Sequence, residues 1–243
     1  MLVRLLSVFL AASLLTSCAA RRVTASPEHD PLEGFNRKIF WFNDRVDTYV
    51  LVPVASGWAW VAPVRVRTSV KNFFDNLRFP IVTVNDLLQA KPVAAGSDVA
   101  RFAVNTTVGV LGFFDPASGW GLEKHNEDFG QTLGYWGVPA GPYLVLPLLG
   151  PSDVRDALGL GVDTAASVTP WFVDEFILIG AQAVDVIDER SLVLQEARDA
   201  KESSVDYYSF LRNAYVQRRN ALVTDSETTG VENEEELYYP KPE

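Results

Sequence analysis

The sequence predicts a mostly α-helical protein. Through most of the 243-residue chain, apolar residues recur at the three- and four-residue spacing that places them on one helical face. Signals that start or end helices flank several of these stretches, and the strict alternation typical of half-buried strands is scarce. One long uncharged segment, residues 129–152, does not follow the helical pattern.

The N-terminus has the features of a bacterial lipoprotein signal. Arg4 precedes an apolar run over residues 5–15, which is too short for a stable membrane anchor. The run leads into Leu15-Thr16-Ser17-Cys18, which is typical of a lipobox, where the cysteine thiol takes diacylglycerol and the small neighbours fit the peptidase. The alternative is an ordinary cleaved signal with a chance cysteine. We expect a signal peptide over residues 1–17, lipidation of Cys18 and a polar tether over residues 18–29.

A first helix is predicted after Asp30. Its carboxylate can accept hydrogen bonds from the unpaired amides of the first turn, Pro31 suits the first helical position, and Glu33 completes a capping box. We expect Pro53 to end this helix. Its apolar face consists of Leu32, Phe35, Ile39, Phe42, Val46 and Tyr49.

More helices are predicted along the chain. The spacing from Val66 predicts a second helix that ends before Pro80, followed by a short helical stretch that ends at Lys91-Pro92. Residues 97–112 indicate another helix, and Thr169-Pro170 has the pattern of a helix start. A last helix is marked by Val205, Tyr208, Tyr215 and Leu222.

Residues 129–152 carry no charge and have a glycine or proline every few positions, so no continuous helix can form. One interpretation is a buried loop or hairpin in a soluble core. The other, our hypothesis, is a glycine-hinged apolar hairpin beside a cavity or in lipid. In this hypothesis the hinge freedom comes from Gly134, Gly137 and Gly141. The contacts of the closed state come from Tyr143, Leu144 and Leu146.

The charge of the chain excludes several kinds of partner. Its 21 basic and 31 acidic residues give a net charge of −10. A nucleic-acid binder needs a basic face, and so does a protein that docks on anionic lipid through a polybasic patch. Acidic residues are concentrated in residues 225–243, which we expect to be a disordered tail after a helical domain over residues 30–224. Weak cation binding at Glu234-Glu235-Glu236 is the alternative for the tail.

Sequence motifs of enzyme catalysis are missing. The chain has no G-x-S-x-G elbow, no phosphate-binding G-x-x-x-x-G-K-[ST] loop and no H-E-x-x-H. His125 lies in a polar run typical of a surface or a turn. The acid pairs Glu127 with Asp128 and Asp153 with Asp156 are candidates for acid–base chemistry, but acids at helix starts more often act as caps. We therefore predict no enzyme activity, no cofactor and no metal site.

Several segments carry a family resemblance. Behind the lipobox stands DPLEGFNR at residues 30–37, and further segments follow in order up to about residue 220. They are VNTTVG at 104–109, GFFDPA at 112–117, FGQTLG at 129–134, GPY at 141–143, LP at 146–147 and YVQRR at 215–219. Together they resemble the VacJ/MlaA family of outer-membrane lipoproteins.

The resemblance implies a ring-like bundle of amphipathic helices embedded in one leaflet, the inner leaflet of the bacterial outer membrane, with a polar channel through the ring. Ala19 replaces the Asp of the inner-membrane retention signal, which favours this location facing the periplasm. The implied partners are phospholipid, a trimeric outer-membrane porin, and a periplasmic phospholipid carrier that feeds an inner-membrane ABC transporter. Mislocalised glycerophospholipid would thereby leave the outer leaflet. The rival interpretation is a periplasm-facing lipoprotein scaffold or lipid hydrolase.

A lipid path needs polar groups for the headgroup and apolar surroundings for the acyl chains. Asn36, Asn43 and Asn72 are candidates to line such a path, and Phe42 is a candidate for its apolar wall. The plain alternative is that they are ordinary polar residues on amphipathic helices. Candidates to meet the phosphate at its mouth are Arg37, Lys38 and Arg45.

Overall fold

The computed structural model describes residues 30–167 and 173–226, and it confirms the mostly α-helical fold. The helices are α1 Glu33–Val46, a π-helical turn Asp47–Leu51, α2 Val52–Val61, α3 Val64–Leu88, α4 Pro92–Thr107, α5 Pro116–Gly119, α6 Phe129–Tyr135, α7 Val154–Ala166, α8 Glu175–Leu192, α9 Leu194–Ser203 and α10 Tyr207–Thr224. The strands β1 Tyr143–Leu146 and β2 Gly150–Asp153 pair antiparallel. The predicted signal peptide, tether and helix start at Thr169-Pro170 lie outside the described residues, as does the predicted tail beyond Ser226.

These elements pack in a closed circuit. The π turn joins α1 to α2, and from there α2 packs on α8, α8 on α3, α3 on α6 and α6 on α10. From α10 the contacts pass to β2, across the sheet to β1, and back to α1. Helix α4 packs on α3, and α7 packs on α6. The closed circuit agrees with the predicted ring-like arrangement.

The prediction that Pro53 ends the first helix was wrong. The backbone stays helical through the π turn and continues as α2, with Pro53 in its first turn. A proline ring normally clashes with the carbonyl four residues earlier, and the wider π turn relieves this clash just before the proline. The continuous helical segment Glu33–Val61, which we call the rod, ends instead at Ala62, whose backbone is extended before Pro63.

None of the described helices is by itself long and apolar enough to cross a membrane. The rod Glu33–Val61 and helix Val64–Leu88 meet that test only as a pair, and they are bent by 117° relative to one another.

Pro80 does not end a helix either. It lies inside α3, so the two helical stretches predicted before and after it are one helix of 25 residues. The proline removes one backbone hydrogen bond, but α3 is packed along its length by α4 and α8. Tertiary packing of this kind outweighs the free-energy cost of the proline. The residues around Pro80 do not reveal this packing, because the packing helices come from other parts of the chain.

The helix predicted over residues 97–112 is shifted towards the N-terminus. Pro92 occupies the first turn of α4, where its missing N–H is no loss, and the helix ends at Thr107. The chain then turns through Val110 and Leu111, which have positive φ angles of 54° and 59°. Non-glycine residues rarely adopt this conformation, so a sequence pattern does not predict the turn.

The hairpin predicted over residues 129–152 is shorter than expected. Its first part is the helix α6, and only Tyr143–Asp153 forms the hairpin. Asp128 caps α6 by accepting a hydrogen bond from Gln131 N at 2.8 Å. A Cβ atom at Gly130 would lie 2.5 Å from Asp156 Oδ1 and 2.9 Å from Arg219 Nη2, so glycine leaves room for these two side chains.

Gly159 is the site of a discriminating stability test. A Cβ atom at this position would lie 2.3 Å from Gly130 N and 2.7 Å from Gly130 Cα, both backbone atoms that cannot move independently. We expect Gly159→Ala to lower the free energy of unfolding by about 1–3 kcal/mol through overpacking. The matched control is Gly161→Ala in the same helix, where a Cβ meets nothing within 4 Å. The free energy of unfolding of this control should rise by up to about 1 kcal/mol, because alanine has a higher helix propensity than glycine. Denaturant unfolding in mild detergent measures both variants, and an equal effect of the two would contradict the close helix crossing.

Candidate functional site

Two asparagine side chains of α1 hold the hairpin. Asn36 Nδ2 donates to the carbonyl oxygen of Tyr143 at 2.9 Å, and its Oδ1 accepts from Val145 N at 3.0 Å. Asn43 repeats the arrangement by donating to Leu146 O at 2.9 Å and accepting from Leu148 N at 2.8 Å. Each amide thus pairs with one C=O and one N–H of the hairpin, as a neighbouring strand would.

The spacing of the two amides matches the strand that they hold. Seven residues along a helix are almost two full turns and rise about 10.5 Å, so both side chains lie on one face. The carbonyl oxygens that they bind, Tyr143 O and Leu146 O, are three residues apart within β1, which corresponds to about 10 Å of extended chain. The opposite edge of β1 pairs with β2, where Val145 faces Pro151. Strand β1 therefore has hydrogen-bonding partners on both edges although the described sheet has two strands.

These contacts change the role predicted for the asparagines. Asn36 has no exposed surface, so it does not line a path in this conformation. Asn43 is half-buried, and its amide is engaged by the hairpin. The neighbouring Phe42 is exposed, as a wall residue requires. Asn72 lines a polar cleft between α3, α4 and the segment before α6.

Asp30 joins the start of α1 to α10. Its Oδ1 accepts from Leu32 N, just before the first helical residue, and from Asn36 Nδ2, each at 3.0 Å. The predicted capping box does not form, because the first-turn amides have no side-chain cap and Glu33 pairs with Arg37 instead. Its Oδ2 accepts a hydrogen bond from the hydroxyl of Tyr208 and lies 3.9 Å from Arg212. The sequence pattern does not predict these contacts with α10, because Tyr208 and Arg212 lie far along the chain.

An aromatic cluster surrounds the base of the hairpin. Tyr143 packs edge-on against Tyr208 and tilted against Tyr215, with ring centroids 6.2 and 5.8 Å away. Val145 is almost fully buried beside them and was missed by the sequence analysis. The period-two alternation of the four-residue strand is too short to single it out. Leu144 and Leu146 are only half-buried, so Tyr143 and Val145 make the main contacts of the hairpin.

The three predicted phosphate-facing cations differ in their surroundings. Arg37 is bound by Asp206 at 2.6 Å and by Glu33 at 2.7 Å, so two carboxylates compete with phosphate for its donors, and its predicted role stays a prediction. The Arg37 hydrogen bond holds the pKa of the Asp206 carboxyl well below its usual value. Lys38 is exposed and forms no ion pair with a described residue. Arg45 is exposed, donates to the Tyr49 hydroxyl at 3.2 Å and has no carboxylate partner among the described residues.

The predicted hinge glycines also divide into two kinds. Gly137 and Gly141 have positive φ angles of 88° and 74°, the conformation for which glycine is favoured. Gly134 instead lies within α6, where a Cβ atom would come within 2.7 Å of the Val223 side chain. Its predicted conformational role is therefore corrected to one of close packing. Gly150, after the hairpin tip, is a further glycine with positive φ, at 83°.

The polar cleft contains charges of both signs. Asp75 bridges Lys71 at 2.6 Å and Lys124 at 2.8 Å. Burial acts to raise the pKa of Asp75, but the two lysines outweigh it, and the pKa lies below its usual value. Arg101 donates to Asp115 at 2.6 Å, and both residues also line the cleft. The remaining charged residues of the lining are Arg78, Asp98 and His125.

The acids considered for acid–base chemistry act in helix capping and in ion pairs. Asp128 is held by Arg219 at 2.6 Å, which overcomes the effect of burial and keeps the pKa of Asp128 below its usual value. Asp153 caps α7 by accepting from Asp156 N at 2.8 Å. Burial raises the pKa of Asp153 to about 6, and the nearby Asp156 adds to the effect. His125 is half-buried and turned into the cleft, unlike the surface histidine that the sequence suggested.

The polarity of the molecule is inverted relative to a soluble domain. Among the described residues, the largest fully buried side chains other than Val145 are polar: Gln131, Asn36, Asn85, Thr132, Asp86 and Asp188. Large apolar side chains lie outside, with Trp60 89% and Phe176 84% exposed. Leu148 and Leu149 at the hairpin tip are also exposed. Soluble proteins bury such side chains, and extended apolar surface marks contact with a membrane or another protein.

The hydrogen bonds of Asn36 and Asn43 to the hairpin, which we call the asparagine clamp, can be tested by truncating each side chain. We expect Asn36→Ala to lower the free energy of unfolding by about 2–4 kcal/mol, because it leaves a buried carbonyl and a buried amide without partners. Asn43→Ala should lower it by only about 1 kcal/mol, because Leu148 is exposed and water can replace the amide. The matched control on the same helix is Lys38→Ala, which should change it by no more than about 0.5 kcal/mol. Denaturant unfolding in mild detergent gives all three values. A loss for Asn36→Ala no larger than for Asn43→Ala would contradict the clamp.

Comparison with known proteins gives consistent matches. The family model described as MlaA lipoprotein matches residues 28–222. The "Intermembrane phospholipid transport system lipoprotein MlaA" of Escherichia coli is 35% identical over 237 residues, which cover 96% of this chain and 94% of the relative. The protein of the same name from Haemophilus influenzae is 35% identical over 239 residues, with the same coverage.

A solved structure is similar as well. It comes from work on the "Structural basis for maintenance of bacterial outer membrane lipid asymmetry", and it superposes with a TM-score of 0.71 at 35% identity. The match covers 80% of this chain and 99% of the solved one. The extent of these matches and the helical circuit lead to one assignment: the chain belongs to the MlaA family of lipoproteins.

Proposed function

We propose that this protein transports phospholipid between the two membranes of the cell envelope. It withdraws mislocalised glycerophospholipid from the outer leaflet of the outer membrane and passes it inward, so that lipid asymmetry is kept. The relatives named above are phospholipid transport lipoproteins, which supports this assignment. The observation that carries the proposal is the apolar exterior around buried polar groups, because phospholipid transfer needs both environments in one molecule.

The proposed location is the inner leaflet of the outer membrane, facing the periplasm, with Cys18 as the lipid anchor. The exposed apolar surface of the described residues suits a protein that lies in a membrane leaflet. Trp41 and Tyr49 are 60% and 66% exposed on the first rod, and such side chains favour the headgroup level. Arg45 lies between them in the chain, with its guanidinium 5.5 Å from the Trp41 ring.

The proposed lipid path uses the polar cleft for the headgroup. Asn72 and the charged residues of the cleft provide hydrogen bonds and opposite charges, which a zwitterionic or anionic headgroup requires. Phe42 offers an exposed apolar wall on α1. Arg45 and Lys38 have no carboxylate partner among the described residues, so they are the cations of α1 that remain available to phosphate.

The hairpin is proposed to move during transfer. Gly137 and Gly141 permit backbone rotation on its N-terminal side, and Tyr143 with Val145 holds the closed position. Leu144, Leu146 and the exposed tip offer apolar surface to acyl chains. Release requires that the hydrogen bonds of Asn36 and Asn43 open and that Tyr143 and Val145 leave their packing against Ile39 and Phe40 of α1 and against Tyr208 and Tyr215 of α10.

The proposed partners are a trimeric outer-membrane porin and a periplasmic phospholipid carrier that feeds an inner-membrane ABC transporter. Because the transfer itself breaks no covalent bond, the protein needs no catalytic residue or cofactor for it. The driving force for net transfer resides in these partners.

Native mass spectrometry of gently extracted protein tests the function. The expected spectrum contains intact phospholipid bound to the protein, together with a porin trimer. Lysophospholipid or free fatty acid in place of intact lipid would identify a hydrolase and overturn the transport proposal.

A reversible cross-link tests the movement of the hairpin. Asn43→Cys and Leu148→Cys place two thiols where the side chain of Asn43 now accepts from Leu148 N at 2.8 Å. Joined by a short reducible cross-linker in the Cys18-lipidated protein, they should slow transfer of fluorescent phospholipid by about tenfold or more, and reduction should restore it.

The matched control joins the hairpin to itself. Leu144→Cys and Ser152→Cys face one another across β1 and β2, so their cross-link leaves the contact with α1 free. Transfer by this control should be equally fast in its cross-linked and its reduced form. If the Asn43–Leu148 pair transfers lipid equally fast in both redox states, with equal folding and membrane localisation, the hairpin is a static part of the structure.

A further inference from the structure

Asp86 on α3 is a buried carboxylate without a hydrogen-bond donor. The residue has no exposed surface, and neither of its side-chain oxygens accepts a hydrogen bond from the described residues. An ionised carboxylate in such a place is costly, and proteins compensate it with a paired cation, a bound metal or a proton. Phospholipid transfer as proposed above makes no use of this group.

Two further ligand types lie beside it. Asp98 on α4 is almost fully buried, and His125 comes from the segment before α6. One potential ligand atom from each of Asp86, Asp98 and His125 lies within 4.8 Å of the others. His125 Nδ1 and Asp98 Oδ2 are 3.2 Å apart, which is close to the ligand separation of about 3.3 Å in a tetrahedral site with 2.0–2.1 Å bonds.

We propose that Asp86, Asp98 and His125 bind one divalent transition-metal ion, with zinc as the preferred ion. Two carboxylates balance the ion's charge, and the imidazole favours zinc over magnesium or calcium, which prefer oxygen ligands alone. This differs from the absence of a metal site that the sequence predicted. Local sequence spacing does not predict this site, because the ligands are 12 and 27 positions apart on three separate segments.

The surroundings provide access and an open coordination position. Asp98 and His125 line the polar cleft, so an ion can enter from solvent and keep a water molecule on the cleft side. Bound there, the ion cross-links α3, α4 and the segment before α6. Its role is to stabilise the wall of the cleft, and the inference does not depend on the proposed transport function.

Zinc binding to the full-length lipoprotein tests the proposal directly. The protein is purified in detergent through a tag without histidines, stripped with a chelator, and titrated with Zn²⁺ by calorimetry. We expect one saturable equivalent and, at about 100-fold excess over the dissociation constant, a rise in melting temperature of about 5 °C or more. Mg²⁺ at the same concentration should not reproduce the rise.

Two variants assign the binding to this cluster. Asp86→Asn should weaken zinc binding by about tenfold or more, since it removes a charged ligand while conserving shape. The matched control is Glu123→Gln, an exposed acid two residues from His125, which should bind zinc as tightly as the wild type. If Asp86→Asn does not fold, His125→Gln replaces it, because that side chain is only half-buried.

The proposal is overturned by either of two results. One is the lack of a saturable zinc equivalent on the wild-type protein, in which case Asp86 and Asp98 share a proton instead. The other is equal zinc affinity in the wild type and in the ligand variants, which would locate the binding elsewhere, such as in the acids of residues 225–243.

Discussion

The outer edge of strand β1 is completed by two side-chain amides of α1 instead of by a third strand. A two-stranded hairpin is only marginally stable alone in water, and its unpaired edge would bury polar backbone groups. Asn36 satisfies one C=O and one N–H in the interior, and Asn43 does the same near the tip. Through these bonds the middle of the chain returns to the first helix. The circuit of helices closes through this contact and through the direct contacts of Asp30 and Arg37 with α10 and its cap.

The same contact explains why the interior is polar. Asp30 accepts from the amide of Asn36 and from the hydroxyl of Tyr208, so α1, the hairpin and α10 share one hydrogen-bonded network. A second network of Asp128, Asp156 and Arg219 joins α6, α7 and α10. Buried groups of this kind stabilise a structure only when their partners are correctly placed, which favours a single arrangement over many similar ones.

An exterior of large apolar side chains follows from the polar interior. The chain is 48% hydrophobic, but the closely packed interior positions are taken by alanine, asparagine and aspartate. The remaining apolar residues face outward, where lipid would remove them from water. Packing in place of a large apolar core comes from short distances between helices, of which the crossing at Gly130 and Gly159 is the clearest case.

The sequence by itself determined the helical class, the main helices, the family resemblance and the break in pattern at the uncharged segment. These follow from local spacing, capping residues and the positions of glycine and proline, which act over a few neighbouring residues. Only the tertiary structure decided that helices continue past Pro53 and Pro80, because a π turn and neighbouring helices offset the local cost of a proline. It also decided which polar residues are buried and which are free. Asn36 and Arg37 are adjacent in the sequence, and both are sequence candidates for contact with the lipid headgroup. One is bound to backbone groups more than a hundred residues away and the other to Asp206, contacts that no local pattern encodes.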